Sequence, residues 1–266
     1  MTDSILSERR GSVAWLTLNR PQIHNAFDDA LIAMLTDALA RVEADPTVHA
    51  VVLSGNGSCF SAGADLNWMR GMAAASEREN REDSLRLARL MRNLQFLSKP
   101  TIARVNGAAY GGGVGLVACC DIAISVDTAK FALSEVKLGL VPAVISPYVI
   151  AAIGLREARR LFITGEVFDA ATAARIGLLH ASVSAAELDE AIERQLYLLA
   201  KAGPLAQREA KQLALRIGGV ELAQAERIDQ ANAELIARLR ISEEGQHGLS
   251  AFLDKRAPAW TAQAAS

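Results

Sequence analysis

Cysteine, aromatic side chains and surplus charge are all scarce in this chain of 266 residues. Its three cysteines, Cys59, Cys119 and Cys120, are too few and too oddly placed for a disulfide framework. Neighbouring Cys119 and Cys120 read as small core residues, and a reducing compartment is the natural setting. The net charge of -2 excludes a globally cationic protein, so no nucleic-acid partner of the electrostatic kind is expected. The first residues lack a basic region followed by an apolar stretch, which predicts no signal peptide and a cytoplasmic location. No uninterrupted apolar run is long enough for a membrane span. The nearest, Gly107 to Val126, holds five glycines and Asp121, and reads as a turn, a buried helix and a strand. What is abundant is ordinary: 51% hydrophobic residues and 22% charged, enough to bury one large domain.

The pattern along the chain alternates strands and helices. Ser12–Asn19 alternates apolar and polar residues as a half-buried strand does. Asp28 is placed to cap a helix reaching Ala44, with Leu31, Leu35, Leu39 and Val42 on one face. His49–Ser54, Thr101–Val105 and Asp121–Val126 read as strands. The polar stretch Ser76–Asp83 leads into a helix ending near Leu97. This order predicts an α/β fold with parallel pairing. Beyond about Glu187 only helices are expected: Glu187–Lys201, Pro204–Ile217, Val220–Arg240 and Ser242–Lys255. The expected boundary lies near residue 200, with an α/β core over 1–200 and a helical region over 201–266.

Several motifs fail on inspection. Gly111-Gly112-Gly113-Val114-Gly115-Leu116 breaks the dinucleotide-binding spacing at Leu116, and no Gly-Lys-Ser/Thr follows any glycine loop. Ser134 and Lys137 have the spacing of a serine–lysine acyl-enzyme motif, but its companion motifs are missing. The four histidines (His24, His49, His180 and His247) lack metal-ligand spacing, so no metal is expected.

Two glycine-containing loops survive, Phe60–Leu66 and Asn106–Gly113. Each follows a strand and precedes a helical segment. Small side chains let a ligand approach the backbone, and a helix N-terminus offers unpaired N–H groups. Two such donors converging on one oxygen form an oxyanion hole. From spacing alone, tight strand–helix packing is the favoured explanation of the same glycines. Glu135 likewise reads, on its own, as a solvated carboxylate at a helix terminus.

The run from Ile102 to Gly113, followed by Leu116 and Cys120-Asp121-Ile122, resembles the signature of the crotonase (enoyl-CoA hydratase/isomerase) superfamily. The similarity extends through Leu18–Pro21 with Asn25-Ala26, Phe60–Leu66, Lys137–Pro142, Thr164-Gly165 with Ala173-Ala174 and Gly177–Leu179, and Glu244-Gly245 with Ala251–Leu253 and Lys255-Arg256. The resemblance implies a ClpP/crotonase-like spiral of ββα units with a helical C-terminal region that packs the chain into trimers or hexamers. It implies an acyl-CoA thioester as substrate, with coenzyme A part of that substrate and no separate cofactor. Ala64 and Gly112 match the two oxyanion-hole donors, and Glu135 matches a catalytic glutamate. Ala62, Ala64, Asp65 and Leu66 fall in one coenzyme A-contacting segment and Ile23 and His24 in the other, and Gly112 of the second loop is expected to contact the same ligand. The lysine that often follows the first loop is Asn67 here.

Two departures refine the resemblance. The position of a second glutamate in two-glutamate hydratases is Gly115, so this is a one-glutamate sequence, which also suits a double-bond isomerase. After Pro142 the chain reads Ala143-Val144-Ile145-Ser146-Pro147-Tyr148 where common hydratases carry a glycine-rich stretch. Together these resemble the bacterial methylglutaconyl-CoA hydratase group, including the similar isohexenylglutaconyl-CoA hydratases. That implies hydration of a branched glutaconyl-type enoyl-CoA in leucine or acyclic isoprenoid breakdown. Gly115 is then expected to leave room for the substrate's own carboxylate, with Ser146 or Tyr148 offering it a hydroxyl; the alternative is that Gly115 merely fits a packed helix turn. A non-catalytic acyl-CoA-binding or RNA-binding scaffold is the alternative on the same fold.

Overall fold

The computed structural model describes residues 3–261; the ends of the two expected regions, 1–2 and 262–266, lie outside the described residues. The chain opens as a hairpin, β1 (Ile5–Arg10) and β2 (Val13–Leu18), paired antiparallel across Gly11. The β1 strand escapes the sequence pattern because only Ile5 of its six residues is buried. A 3-10 turn at Pro21–Ile23 leads to α1 (Asp29–Ala44). Asp28 caps it by accepting from the Leu31 N–H at 2.8 Å, and Leu31, Leu35, Leu39 and Val42 are buried as their spacing predicts.

The next three segments repeat one motif. β3 (Ala50–Gly55) and β4 (Cys59–Ser61) precede α2 (Leu66–Ala74) and α3 (Glu77–Gln95). β5 (Thr101–Val105) and β6 (Ala108–Tyr110) precede α4 (Gly112–Cys119). β7 (Ile122–Val126) and β8 (Lys130–Ala132) precede a 3-10 turn at Ser134–Leu138 and then α5 (Ser146–Thr164), which Gly154 breaks. After β9 (Val167–Asp169), α6 (Ala170–Arg175) and β10 (Ala181–Val183) come α7 (Leu188–Ala200), α8 (Pro204–Ile217), α9 (Leu222–Ile241) and α10 (Glu243–Leu253).

The first strand of each pair joins a six-stranded sheet in the order β1-β2-β3-β5-β7-β10, and the second joins a four-stranded sheet, β4-β6-β8-β9. Each turn of chain therefore stacks on the one before it, as the spiral of ββα units requires. Pairing is parallel except at the hairpin β1-β2 and at β8-β9. The α3 helix starts at Glu77, inside the polar stretch expected only to lead into it. Its first turn is polar because it is exposed, and Ser76 and Glu79 close it with a reciprocal capping box.

Of the helices after residue 200, α9 and α10 pack on the core, whereas α8 buries none of its residues. α9 runs antiparallel along α3, tied by Arg81 to Gln230 at 2.7 Å, by Arg92 to Asp229, and by Arg240 to Asp83 at 3.1 Å. A small apolar cluster of Met69, Leu140, Ala143, Ile236 and Leu249 then joins α9 and α10 to the core of the same chain. No helix among the described residues is long and apolar enough to cross a membrane. A chain ending at Gly203 is expected to aggregate, because Met69, Leu140 and Ala143 lose their cover; burial of each large side chain contributes roughly 1.5–3 kcal/mol. Light scattering of the shortened chain checks this, and a monodisperse, fully folded product would contradict it.

Candidate active site

Register in the small sheet builds the site. Ser61 pairs with Ala109, and Tyr110 with Ala132, so the three loops that follow β4, β6 and β8 leave the sheet side by side. Neighbouring strands lie about 4.8 Å apart, which brings Ala64, Gly112 and Glu135 to adjacent stations on one sheet edge. All three line a single cavity of about 560 Å³, together with Phe27, Ala62 and the apolar side chains of α2, α9 and α10.

The first loop is held from below. Arg20 pairs with Asp28 at 2.7 Å and with Asp65 at 3.3 Å, and donates to the Ala26 carbonyl at 2.7 Å. Asn25, fully buried at φ 55°, donates to the carbonyls of Asn56 and Cys59 and accepts from the Arg20 N–H. Phe27 binds the loop on both sides of Ala64, donating to Gly63 at 2.6 Å and accepting from Asp65 at 2.8 Å. That leaves the Ala64 N–H with no acceptor among the described residues. The second loop ends at Gly111, whose φ of 48° is the left-handed region that glycine tolerates. Gly112 opens α4, so its N–H is one of the unpaired donors of a helix start. A Cβ on Gly113 would stand 2.8 Å from the Ser61 carbonyl, which is why the helix approaches the first loop only with glycine there.

Glu135 sits in the 3-10 turn after β8. A Cβ on Gly111 would lie 3.1 Å from its Oε1, so the carboxyl rests against the second loop. Its Oε2 is shut off from water and has no hydrogen-bond partner among the described residues. Burial pushes this carboxyl up from the ordinary glutamate range to about 7. A carboxyl that ionises there both accepts and returns a proton at neutral pH.

Of the other expected contact residues, Ala62 lines the cavity, whereas Ile23, His24, Asp65 and Leu66 do not. Ile23 and His24 flank it, because the His24 carbonyl accepts from the Ala62 N–H at 2.9 Å. Asp65 caps α2, accepting from Asn67 at 2.7 Å and Trp68 at 3.2 Å, and Leu66 is 46% exposed on that helix. Asp121 is structural, as its place before β7 suggests: it accepts from the Thr101 N–H at 2.8 Å and pairs with Lys211 at 2.9 Å. Cys119 and Cys120 are buried and free, and burial raises the Cys120 thiol to about 12.

Two expectations around Gly115 fail. A Cβ there would lie 2.3 Å from Ile145 Cγ2 and 3.2 Å from Met91 Cε, so the space is filled. Ser146 and Tyr148 do not line the cavity either. The Ser146 hydroxyl donates to Ala143 at 2.7 Å, and Tyr148 is buried in the main core, 4% exposed. Residues that sequence reasoning missed come from far along the chain: Trp68, Met69 and Met72 of α2, Ile236 and Arg240 of α9, and Leu249 and Phe252 of α10.

The model of a family described as enoyl-CoA hydratase/isomerase matches residues 8–263. The chain belongs to the enoyl-CoA hydratase/isomerase family. It is therefore an enzyme of the crotonase superfamily, with the α/β crotonase fold. The chain is 35% identical to the 2,3-dehydroadipyl-CoA hydratase of Escherichia coli, over 97% of its own length and 98% of the relative's. It is 32% identical to the crotonyl-CoA hydratase of Syntrophomonas wolfei, over 96% of each chain. Among solved structures, an enoyl-CoA hydratase from Mycobacterium avium superposes with a TM-score of 0.86 at 34% identity, covering 98% of this chain and 100% of that one. Pseudomonas aeruginosa AtuE does so with a TM-score of 0.79 at 36% identity, covering 97% and 99%.

Gly115→Glu in this family member is expected to lose at least about 3 kcal/mol of stability, from overpacking against Ile145 and a buried charge. Adding Ile145→Gly should restore part of the loss. Urea denaturation of the single and double variants reads both effects, and an undiminished Gly115→Glu protein would contradict the close packing of Ile145 on Gly115.

Proposed function

We propose that this chain hydrates a branched glutaconyl-type 2-enoyl-CoA, methylglutaconyl-CoA or isohexenylglutaconyl-CoA, in leucine or acyclic isoprenoid breakdown. The observation that carries the hydratase chemistry is one isolated, buried carboxyl, Glu135, in the cavity shared with the N–H groups of Ala64 and Gly112. The thioester oxygen accepts from those two N–H groups. Glu135 takes a proton from water as the hydroxide adds to C3, the electron pair moves through C2 to the thioester oxygen, and Glu135 then returns the proton to C2. One carboxyl performs both transfers, because the filled space at Gly115 offers no second one. Removing one oxyanion donor typically costs about 10²–10³ in rate, so the two N–H groups carry much of the barrier reduction.

The branched, acidic acyl group is supported by the sequence of the Pro142–Tyr148 segment and by the relative named for dehydroadipyl-CoA, an acyl chain ending in a carboxylate. Ile23, His24, Ala62 and Leu66 are proposed as the coenzyme A side of the site. The same carboxyl suits the isomerase reading, in which Glu135 moves a proton between two carbons and no water adds. Trimer or hexamer assembly is proposed from the apolar residues left uncovered on α7 and α8, where Leu198, Leu205, Leu213 and Ile217 are all at least half exposed.

A panel of enoyl-CoA thioesters, followed by loss of the conjugated enoyl-thioester absorbance, tests the reading. 3-Methylglutaconyl-CoA should show a higher kcat/KM than crotonyl-CoA. Its rate should rise with pH through about 7, because Glu135 must be ionised to take the proton from water. Glu135→Gln should lower turnover about 10²–10⁴-fold. Isomerisation of a 3-enoyl-CoA with no hydration of any member would overturn hydratase in favour of isomerase.

A further inference from the structure

The cavity also carries a guanidinium that the chemistry above does not use. Arg240, near the end of α9, lines the cavity with its side chain 14% exposed. Its Nη1 donates to Asn80 Oδ1 and Asp83 Oδ2, each at 3.1 Å. Its Nε and Nη2 have no acceptor among the described residues, so three of the five guanidinium N–H donors are uncommitted. Asp83 is fully buried and also accepts from Arg86 at 3.1 Å, so one carboxylate serves two guanidinium groups. An arginine held on one edge with its other edge free is a preorganised fork for a second carboxylate.

Its position relative to the reacting atoms fits. Trp68 is four residues beyond Ala64, in the first turn of α2, and lines the same cavity. The Arg240 guanidinium carbon lies 5.8 Å from the Trp68 ring centroid. The guanidinium and the two loop N–H groups therefore open on one cavity, with the Trp68 indole against the guanidinium. Asn80 fixes the far side: it donates to the Met72 carbonyl at 2.9 Å and accepts from Arg240, so the arginine is registered against α2 itself. Met69, Met72 and Leu87 line the same cavity, and such an apolar wall suits the hydrocarbon part of the acyl group.

We propose that Arg240 is the specificity-determining residue of this site, binding the distal carboxylate of an acidic acyl-CoA through its free Nε–Nη2 edge. The proposal rests on the glutaconyl-type reading above and adds the residue that reads the acid.

The test compares kcat/KM for 3-methylglutaconyl-CoA and crotonyl-CoA in wild type, Arg240→Gln and Arg240→Lys. The ratio of the two constants is taken within one preparation, so it does not depend on the fraction of active protein. Arg240→Gln should lower the ratio about 10- to 100-fold, the usual effect of losing a charged hydrogen-bonded pair. Arg240→Lys, which keeps a charge beside Asp83 but lacks the fork, should lower it less, and it serves if Arg240→Gln does not fold. A purely structural arginine would slow both substrates alike and leave the ratio unchanged, which overturns the proposal while the glutaconyl reading stands. The proposal is likewise overturned if Lys137→Gln or Arg256→Gln, the other cations on the cavity wall, changes the ratio and Arg240→Gln does not. A wild-type ratio of one or below removes the glutaconyl reading and the proposal together.

Discussion

Everything at the candidate site depends on the parallel register of three very short strands. β4, β6 and β8 contribute few hydrogen bonds of their own, yet the larger sheet behind them fixes their spacing, because each is the second strand of a pair whose first strand belongs to that sheet. Slipping one of them by a residue would turn its side chains to the other face and move its loop along the edge. The glycines enforce the fit. Gly107 could not hold a Cβ, which would fall 2.1 Å from the Ser58 carbonyl, and Gly113 meets the same obstacle at Ser61. Backbone-to-backbone approach, more than any side-chain contact, brings two loop N–H groups and a carboxyl to one place.

The second constraint is electrostatic. Glu135 is placed where little compensates its charge: its Oε2 is without a partner among the described residues and the cavity around it is largely apolar. Leaving a carboxylate uncompensated would be costly, so the group holds its proton to higher pH than a surface glutamate. The cost is the function, since an easily protonated carboxylate at neutral pH is what a proton shuttle requires. Of the cations of the cavity, Lys137 shares the 3-10 turn of Glu135, and Arg240 and Arg256 come from the C-terminal helical region.

The strongly patterned parts of this fold were legible in the sequence. The helix α1 was readable with its cap at Asp28, and so were the buried strands β3, β5 and β7 and the helices of the C-terminal region. Their apolar residues recur over five or more positions, long enough for a period to show. The small sheet was not legible, because three residues such as Cys59–Ser61 or Lys130–Ala132 show no period. Ala64, Gly112 and Glu135 were found through the family resemblance of their flanking residues, and their spacing alone left a packing role open. Trp68, Met72 and Arg240 escaped because nothing in their helical segments marks a site; only the return of α9 along α3 brings Arg240 to the cavity. Gly115 misled for a related reason. A missing side chain suggested room, and Ile145, thirty positions later, occupies it.

A single buried carboxyl, Glu135, shares one cavity with the two backbone donors and is held protonated by its surroundings to higher pH than a surface glutamate. The most direct test is infrared titration of the protonated-carboxyl C=O band, taken as the difference between wild type and Glu135→Gln across pH 4 to 9. One such band, lost with a midpoint near 7, is expected. A band already lost by about pH 5, the range of an ordinary solvated glutamate, would contradict it.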